Sequence, residues 1–199
     1  MNNLLFLINF VSLDLLKIIG SVIARLGSKR LAFKNLLPYK GVPLVLGAVR
    51  KLIDSKRFDE VILSTDSELI ARTCMSEKVR ILKRPAELSG DEVPSIPVFK
   101  HILSHFPSDI HLNYNCNFPE CSLEVFDAAI DLCKKTGESL SVPFAVWAQT
   151  KECLGSYGDP FKITASRFKT EDVHPLDIHT LDDLLETHQV HQVDFDDWK

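Results

Sequence analysis

Between Ala24 and Asn35 the chain reads A-R-L-G-S-K-R-L-A-F-K-N, which places Arg25, Lys29, Arg30 and Lys34 in one short turn with no acid among them. Cations this close repel one another unless a polyanion answers them, and this mixture suits phosphate: Arg forks onto two oxygens, Lys supplies a point charge. Gly27 lets the backbone come near a phosphate, and Ser28 and Asn35 add hydrogen-bond donors. Charge-assisted contacts contribute about 1.5–3 kcal/mol each, so a few that converge give substantial affinity for a triphosphate. Taken alone, the same stretch also describes a solvated basic loop.

The elements around the turn bear on that choice. Upstream, Lys17–Ile23 is an apolar run that reads as a buried strand, and downstream, past a Pro-Gly-rich bend, Leu44–Lys56 carries Leu46, Val49, Leu52 and Ile53 at helical spacing. The turn therefore lies at the carboxyl end of a strand, where open α/β sheets bind nucleotides. Phe58–Ser64 reads as a second strand, followed by a helix capped by Thr65 through the box Thr65–Asp66–Ser67–Glu68. Val79–Leu82, Ile110–Asn115 and Ser139–Val146 read as further strands. The helices expected among them are Ile96–Phe106, with Pro97 in its first turn, Leu123–Thr136 and, after a turn at Asp177–Thr180, Leu181–Gln189. Alternation of this kind predicts an α/β fold with a mainly parallel sheet in three layers.

Composition narrows the partners. The 199 residues, 45% hydrophobic and 25% charged, suit one buried core, read as a single domain over 17–190 with an apolar extension at 1–16 and an acidic tail at 191–199. A net charge of −4 argues against nucleic acid and leaves the basic turn a local feature, so a small partner is expected. The five cysteines, Cys74, Cys116, Cys121, Cys133 and Cys153, form no C-x-x-C pair and fit reduced thiols in a cytoplasmic protein. In Met1–Leu16, Asp14 interrupts the apolar run and Lys17 closes it, too short to span a bilayer. With no basic start and no small-x-small site it is a poor signal peptide; an upstream start, a disordered lead and an added helix all remain open.

The pattern A-R-x-G-S-K-x-x-x-x-K-N resembles the nucleotide-binding motif of the acylneuraminate cytidylyltransferases, the CMP-sialic acid synthetase family. The likeness continues through Gly41–Leu44, Phe58–Asp66, Arg84–Asp91 and Leu176–Leu184. It covers most of Lys17 to Glu186, although Ser141–Val173 is shorter than the family's equivalent. The resemblance implies a Rossmann-like nucleotide-diphospho-sugar transferase fold. It also implies a magnesium-dependent enzyme that uses CTP to activate an acidic, nonulosonate sugar as its CMP derivative, releasing pyrophosphate, for surface polysaccharide assembly. By the same resemblance Arg25 and Lys34 hold the leaving phosphates, Lys29 and the amides near Gly27 and Ser28 cradle the rest, and Asn35 orients the site. Arg84 and Ser95 match positions around the base and ribose, though Arg84 alone also reads as a surface ion pair with Glu87.

Three departures from the family pattern matter. Its Q-P-T-S-P stretch aligns with Asn113–Tyr114–Asn115–Cys116–Asn117, so an amide one methylene shorter stands at Asn113 and the choice of cytosine is open; a plain strand-to-loop transition would read the same way. Its D-x-D pair is Asp177–Ile178–His179 here, leaving Asp177 as the ligand for Mg2+ and an imidazole where a hard oxygen is wanted. His179 could contact phosphate instead, the site could accept a softer metal, or the protein could bind nucleotide without turnover. His174, His188 and His191 read as surface histidines rather than a zinc site. The shortened segment removes most of the arm that family members use for dimer contacts and sugar binding, which weakens the expectation of a homodimer. Lys151, Lys162, Arg167 and Lys169 within it could meet a sugar carboxylate or simply form a solvated face.

Overall fold

A computed structural model describes residues 16–189. The acidic tail, His191 and all but the last residue of the apolar extension lie outside the described residues, as does the side chain of His188. In chain order the elements are β1 (Ile18–Ile23), β2 (Pro38–Tyr39), β3 (Val42–Pro43), α1 (Leu44–Ser55), β4 (Glu60–Thr65), α2 (Glu68–Cys74), β5 (Arg80–Lys83), α3 (Ser95–His105), β6 (Ile110–Tyr114), α4 (Glu124–Thr136), β7 (Glu138–Val142), β8 (Val146–Thr150), α5 (Lys151–Gly155), β9 (Ser166–Lys169) and α6 (Leu181–Gln189).

Seven of the strands form one sheet in the order β5-β4-β1-β6-β8-β7-β9, while β2 and β3 make a separate small ribbon. Parallel pairing joins β5, β4, β1 and β6, and β8 alone runs antiparallel to both its neighbours. From β1 the chain winds outward through β4 to β5 and then returns to place β6 on the other side of β1. The reversal opens a crevice at the carboxyl ends of β1 and β6, the usual ligand position in such sheets.

Side chains alternate along β1 to serve two helical layers. Val22 joins Val45, Val49, Leu52, Ala129 and Ile130 on the α1/α4 side, and Ile19 joins Ile62, Leu82, Val98 and Ile102 on the α3 side. Burial on both faces explains why these strands read as continuous apolar runs. A Cβ at Gly20 would lie 2.9 Å from the ring of Phe58, so only glycine lets that ring cross the strand. The expected three-layer α/β fold with a mainly parallel sheet is therefore present.

Two local expectations need correction. The expected strand Ser139–Val146 is the hairpin β7/β8: Pro143 can donate no ladder hydrogen bond, and Ser141 Oγ accepts the amides of Ala145 and Val146 at 3.1 and 3.0 Å, closing a tight reversal. The cap of α2 is Ser67 rather than Thr65, which ends β4; Ser67 Oγ accepts the Ile70 amide at 3.3 Å, and Thr65 Oγ1 accepts the Ser67 amide at 3.1 Å. All five cysteines are free, four of them buried. His174 is exposed, as expected of a surface histidine. Among the described residues no helix is long and apolar enough to cross a membrane.

Candidate functional site

Past β1 the chain loops from Ala24 to Leu37 above the crevice, and side chains fix the path of this loop. Asp66, just beyond β4, accepts the Leu26 amide at 3.1 Å, and Asn35 donates from Nδ2 to the Arg25 carbonyl at 2.8 Å, drawing both ends of the basic turn together. Asn35 Oδ1 accepts from Cys116 Sγ at 3.2 Å, which ties the turn to the segment after β6. That segment is shaped by Tyr114, whose hydroxyl donates to the Phe118 carbonyl at 2.6 Å, and by Asn115 Oδ1, which accepts the Asn117 amide at 3.1 Å. The Ile178 amide donates to the Asn117 carbonyl at 3.1 Å, bringing the Asp177–His179 stretch alongside.

A cavity of about 410 Å³ results, within the range of small-molecule sites. Arg25, Gly27, Ser28, Lys29, Lys34, Asn35, Arg84, Ser95 and Asn113 all line it, so the residues singled out around phosphates, ribose and base share one wall system. The first turn of α3 also faces it, through Pro94, Ser95 and Val98, and contributes the positive end of an eleven-residue helix. Nothing lies within 4 Å of a Cβ built on Gly27, so a glycine there keeps the cavity open rather than satisfying the backbone. Asp177 stands outside the lining, behind His179. Lys151, Lys162, Arg167 and Lys169 do not line the cavity either.

The cations are held in different states. Lys34 is half-buried and its ammonium forms no hydrogen bond or ion pair among the described residues; burial lowers its pKa, and Cys116 and Asp177 pull the other way. Arg84 is buried too. It donates to the Ser64 carbonyl at 2.7 Å and to Ser64 Oγ at 3.3 Å, rather than pairing with Glu87, and burial lowers its pKa to about 10, so it remains charged at neutral pH. Two desolvated cations facing one cavity without carboxylates of their own are matched to an anionic ligand.

Arg25 and Lys29 instead share a carboxylate that the sequence reading did not single out. Asp91 lies 2.5 Å from Arg25 Nη2 and 2.9 Å from Lys29 Nζ. The hydrogen bond from Lys29 holds the Asp91 carboxyl below its ordinary range and raises the Lys29 ammonium in turn. Asp91 thus answers the charge of both cations. Asp91→Asn is expected to tighten triphosphate binding about tenfold by removing the competing charge. Calorimetric titration checks this, and weaker binding would mean that Asp91 positions the two cations instead of competing for them.

Arg30, which also lines the cavity, donates from Nη2 to His179 Nδ1 at 2.8 Å, and His179 Nε2 lies 2.7 Å from Asp177 Oδ2. With Nδ1 accepting, the proton sits on Nε2 and the three residues form a row leading out of the cavity. The other Asp177 oxygen, Oδ1, is buried without a partner. Turned toward the cavity, Asp177 would offer a divalent cation one carboxylate, and no cluster of three or more His, Cys, Asp or Glu among the described residues completes a cage. Such a set fits a hard cation that keeps its waters and borrows oxygens from a phosphate, and does not fit zinc.

A family model for cytidylyltransferases matches residues 19–173. The chain belongs to the cytidylyltransferase family. Among curated relatives it is 31% identical to N-acylneuraminate cytidylyltransferase A of Danio rerio over 117 residues, 58% of this chain and 27% of that protein. It is 39% identical to the N-acylneuraminate cytidylyltransferase of Escherichia coli O18:K1:H7 over 88 residues, 44% of this chain and 21% of that one. The matched part thus spans between a fifth and a third of these relatives' lengths. Among solved structures, a CMP:2-keto-3-deoxy-manno-octonic acid synthetase complexed with CTP superposes with a TM-score of 0.75 at 13% identity, covering 88% of this chain and 98% of that one. At that identity the likeness concerns the fold.

Proposed function

We propose that this chain is a nucleotidyltransferase that uses CTP to activate an acidic, sialic-acid-like nonulosonate sugar as its CMP derivative, with release of pyrophosphate. The observation that carries this reading is the convergence of Arg25, Lys29, Lys34, Arg84 and the α3 N-terminus on one cavity at the carboxyl ends of β1 and β6. Membership of the family and the likeness to N-acylneuraminate cytidylyltransferases support it.

In the proposed reaction the sugar's anomeric hydroxyl attacks the α-phosphorus, a new P–O bond forms, and the bond to the bridging oxygen breaks so that pyrophosphate leaves. Such a transfer asks the protein mainly for positioning and charge neutralisation. Lys34 and Arg25 would take the charge that builds on the leaving phosphates, Lys29 and the amides of the Gly27–Ser28 stretch would hold the remaining oxygens, and Arg84 and Ser95 would border the base and ribose. Asn113, in the cavity lining, would read the base edge. Asp177 would hold Mg2+, with water and phosphate oxygens completing the shell, once its carboxylate turns from behind His179 toward the cavity, and the ion would supply Lewis-acid charge when bound. Arg30, held by His179, would meet the sugar carboxylate.

A second reading is nucleotide binding without turnover, and His179 in place of a second carboxylate favours it. Titration with CTP, UTP, ATP and GTP, each with and without Mg2+, followed by a pyrophosphate-release assay with N-acylneuraminate, separates the two. Binding of CTP strengthened by Mg2+, with release of pyrophosphate, is the expected result. CTP binding that ignores the metal and is followed by no release over a panel of acidic nonulosonates would favour the second reading.

A further inference from the structure

On the α3 face of the sheet, where apolar residues would pack most simply, three neighbouring strands carry a row of buried polar side chains: Ser21 on β1, His111 and Asn113 on β6, and Gln149 on β8. Register sets Ser21 opposite Asn113 and His111 opposite Gln149. Phe99 of α3 covers the row, its ring centroid 4.7 Å from that of His111 and 5.4 Å from that of Trp147. Keeping four polar groups under an aromatic lid costs desolvation, which hydrogen bonds among them must offset. One end of the row, Asn113, reaches the cavity; Ser21, His111 and Gln149 do not line it.

We propose that Gln149, His111 and Ser21 act as positioning residues that set the amide orientation of Asn113, and that this orientation decides which pyrimidine the cavity takes. The proposal rests on the nucleotide-binding reading given above.

The argument follows the protons. Ser21 Oγ donates to Asn113 Oδ1 at 3.2 Å, which uses the single proton a serine hydroxyl has. At its other contact, 2.8 Å from His111 Nε2, the hydroxyl oxygen can then only accept, so the His111 proton is on Nε2. Burial pushes the His111 pKa down to about 4, so the ring is neutral and Nδ1 is bare. Nδ1 therefore needs a donor. Gln149 Oε1 lies 3.3 Å from Nδ1, an acceptor facing an acceptor, while Gln149 Nε2 is buried without a partner; turning the amide over sets Nε2 against Nδ1 and satisfies both groups. Every link then runs one way, from Gln149 through His111 and Ser21 to Asn113, whose Nδ2 is left as a donor at the cavity wall.

Moving the one imidazole proton to Nδ1 reverses every link. Gln149 would accept through Oε1, Ser21 would donate to Nε2, and Asn113 would have to present Nδ2 to Ser21 and Oδ1 to the cavity. A donor at the wall suits the N3 of cytosine, which is an acceptor. An acceptor would suit uracil, whose N3 carries a proton. The pyrimidine preference is thus held by a residue that touches no ligand.

Two measurements on the full chain test this. Nitrogen-15 chemical shifts of the imidazoles, with His111 assigned by its loss in His111→Asn, are expected to show the Nε2–H tautomer; an Nδ1–H tautomer or a doubly protonated ring overturns the proposal. Titration of Ser21→Ala with CTP and UTP is expected to show the preference for CTP reduced about tenfold, mainly because UTP binding improves. A role in packing alone would weaken both nucleotides equally and keep their ratio, and that outcome, or a wild-type protein that binds the two alike, also overturns it. A wild-type protein that binds no nucleoside triphosphate would instead overturn the proposed function, while the tautomer still decides the direction of the row.

Discussion

Replacing Lys34 by methionine is expected to lower nucleotidyl transfer about a thousandfold, the scale seen when a single preorganised charge contact is removed from a transition state. Methionine keeps most of the aliphatic stem and removes the ammonium, so the change isolates charge from packing. Lys34 is suited to the role because the fold holds it half-buried, its ammonium without hydrogen bond or ion pair among the described residues, at the start of a single 3-10 turn. Desolvation that lowers its pKa also opposes folding while the site is empty, and the charge is compensated only when an anion arrives. The melting temperature of Lys34→Met should therefore stay level or rise slightly while turnover collapses. Steady-state pyrophosphate release beside a thermal melt checks both halves. Turnover within a few-fold of wild type would remove Lys34 from the phosphate site, and a fallen melting temperature would make it a structural residue.

The largest expected effect on stability lies behind the cavity. Phe126 on α4 is fully buried and meets the rings of Tyr114 and Phe58 edge-on, at centroid distances of 5.4 and 6.0 Å. Phe126→Ala is expected to cost about 3–5 kcal/mol, from lost transfer free energy plus the cavity left against a sheet that cannot collapse onto it. The consequence should extend to binding. Tyr114 carries the hydroxyl that holds the Phe118 carbonyl, and the loop so shaped supplies Asn115, Cys116 and Asn117 to the cavity. Chemical denaturation measures the first effect, and CTP titration well below the new melting temperature measures the second. Loss of stability with wild-type affinity would show that the loop is held by its other bonds, such as Cys116 to Asn35.

Much of the fold and part of the site were legible in the order of the residues. Hydrophobic periodicity is a local property, so β1, β4, β6, α1, α3 and α4 could be read to within a residue or two, and their alternation implied a mainly parallel sheet. The basic turn was legible for a similar reason: Arg25, Lys29, Arg30 and Lys34 are adjacent in sequence, and strand-end placement followed from the apolar run before them. Where reading failed locally, short-range competition was the cause. Pro143 and Ser141 broke one expected strand into two, and Ser67 took the cap from Thr65, because side-chain hydrogen bonds over two to five residues can satisfy a backbone in more than one way.

What only the tertiary structure decided was pairing between residues far apart in the chain. Sequence named Asp177 and His179 but could not show Arg30, 149 positions from His179, closing a row with them. It offered Glu87 as a partner for Arg84, whereas burial against Ser64 leaves that charge for the cavity. Asp91 closed one block of the resemblance without a role of its own until the fold set it between Arg25 and Lys29. Ser21, His111 and Gln149 carry no local pattern; they become a row only because β1, β6 and β8 are neighbours in the sheet. Residue types and spacing thus determined the elements and the basic turn, while the energy of a charge or hydrogen bond depends on its partner and its burial, and those exist only once distant strands have been brought side by side.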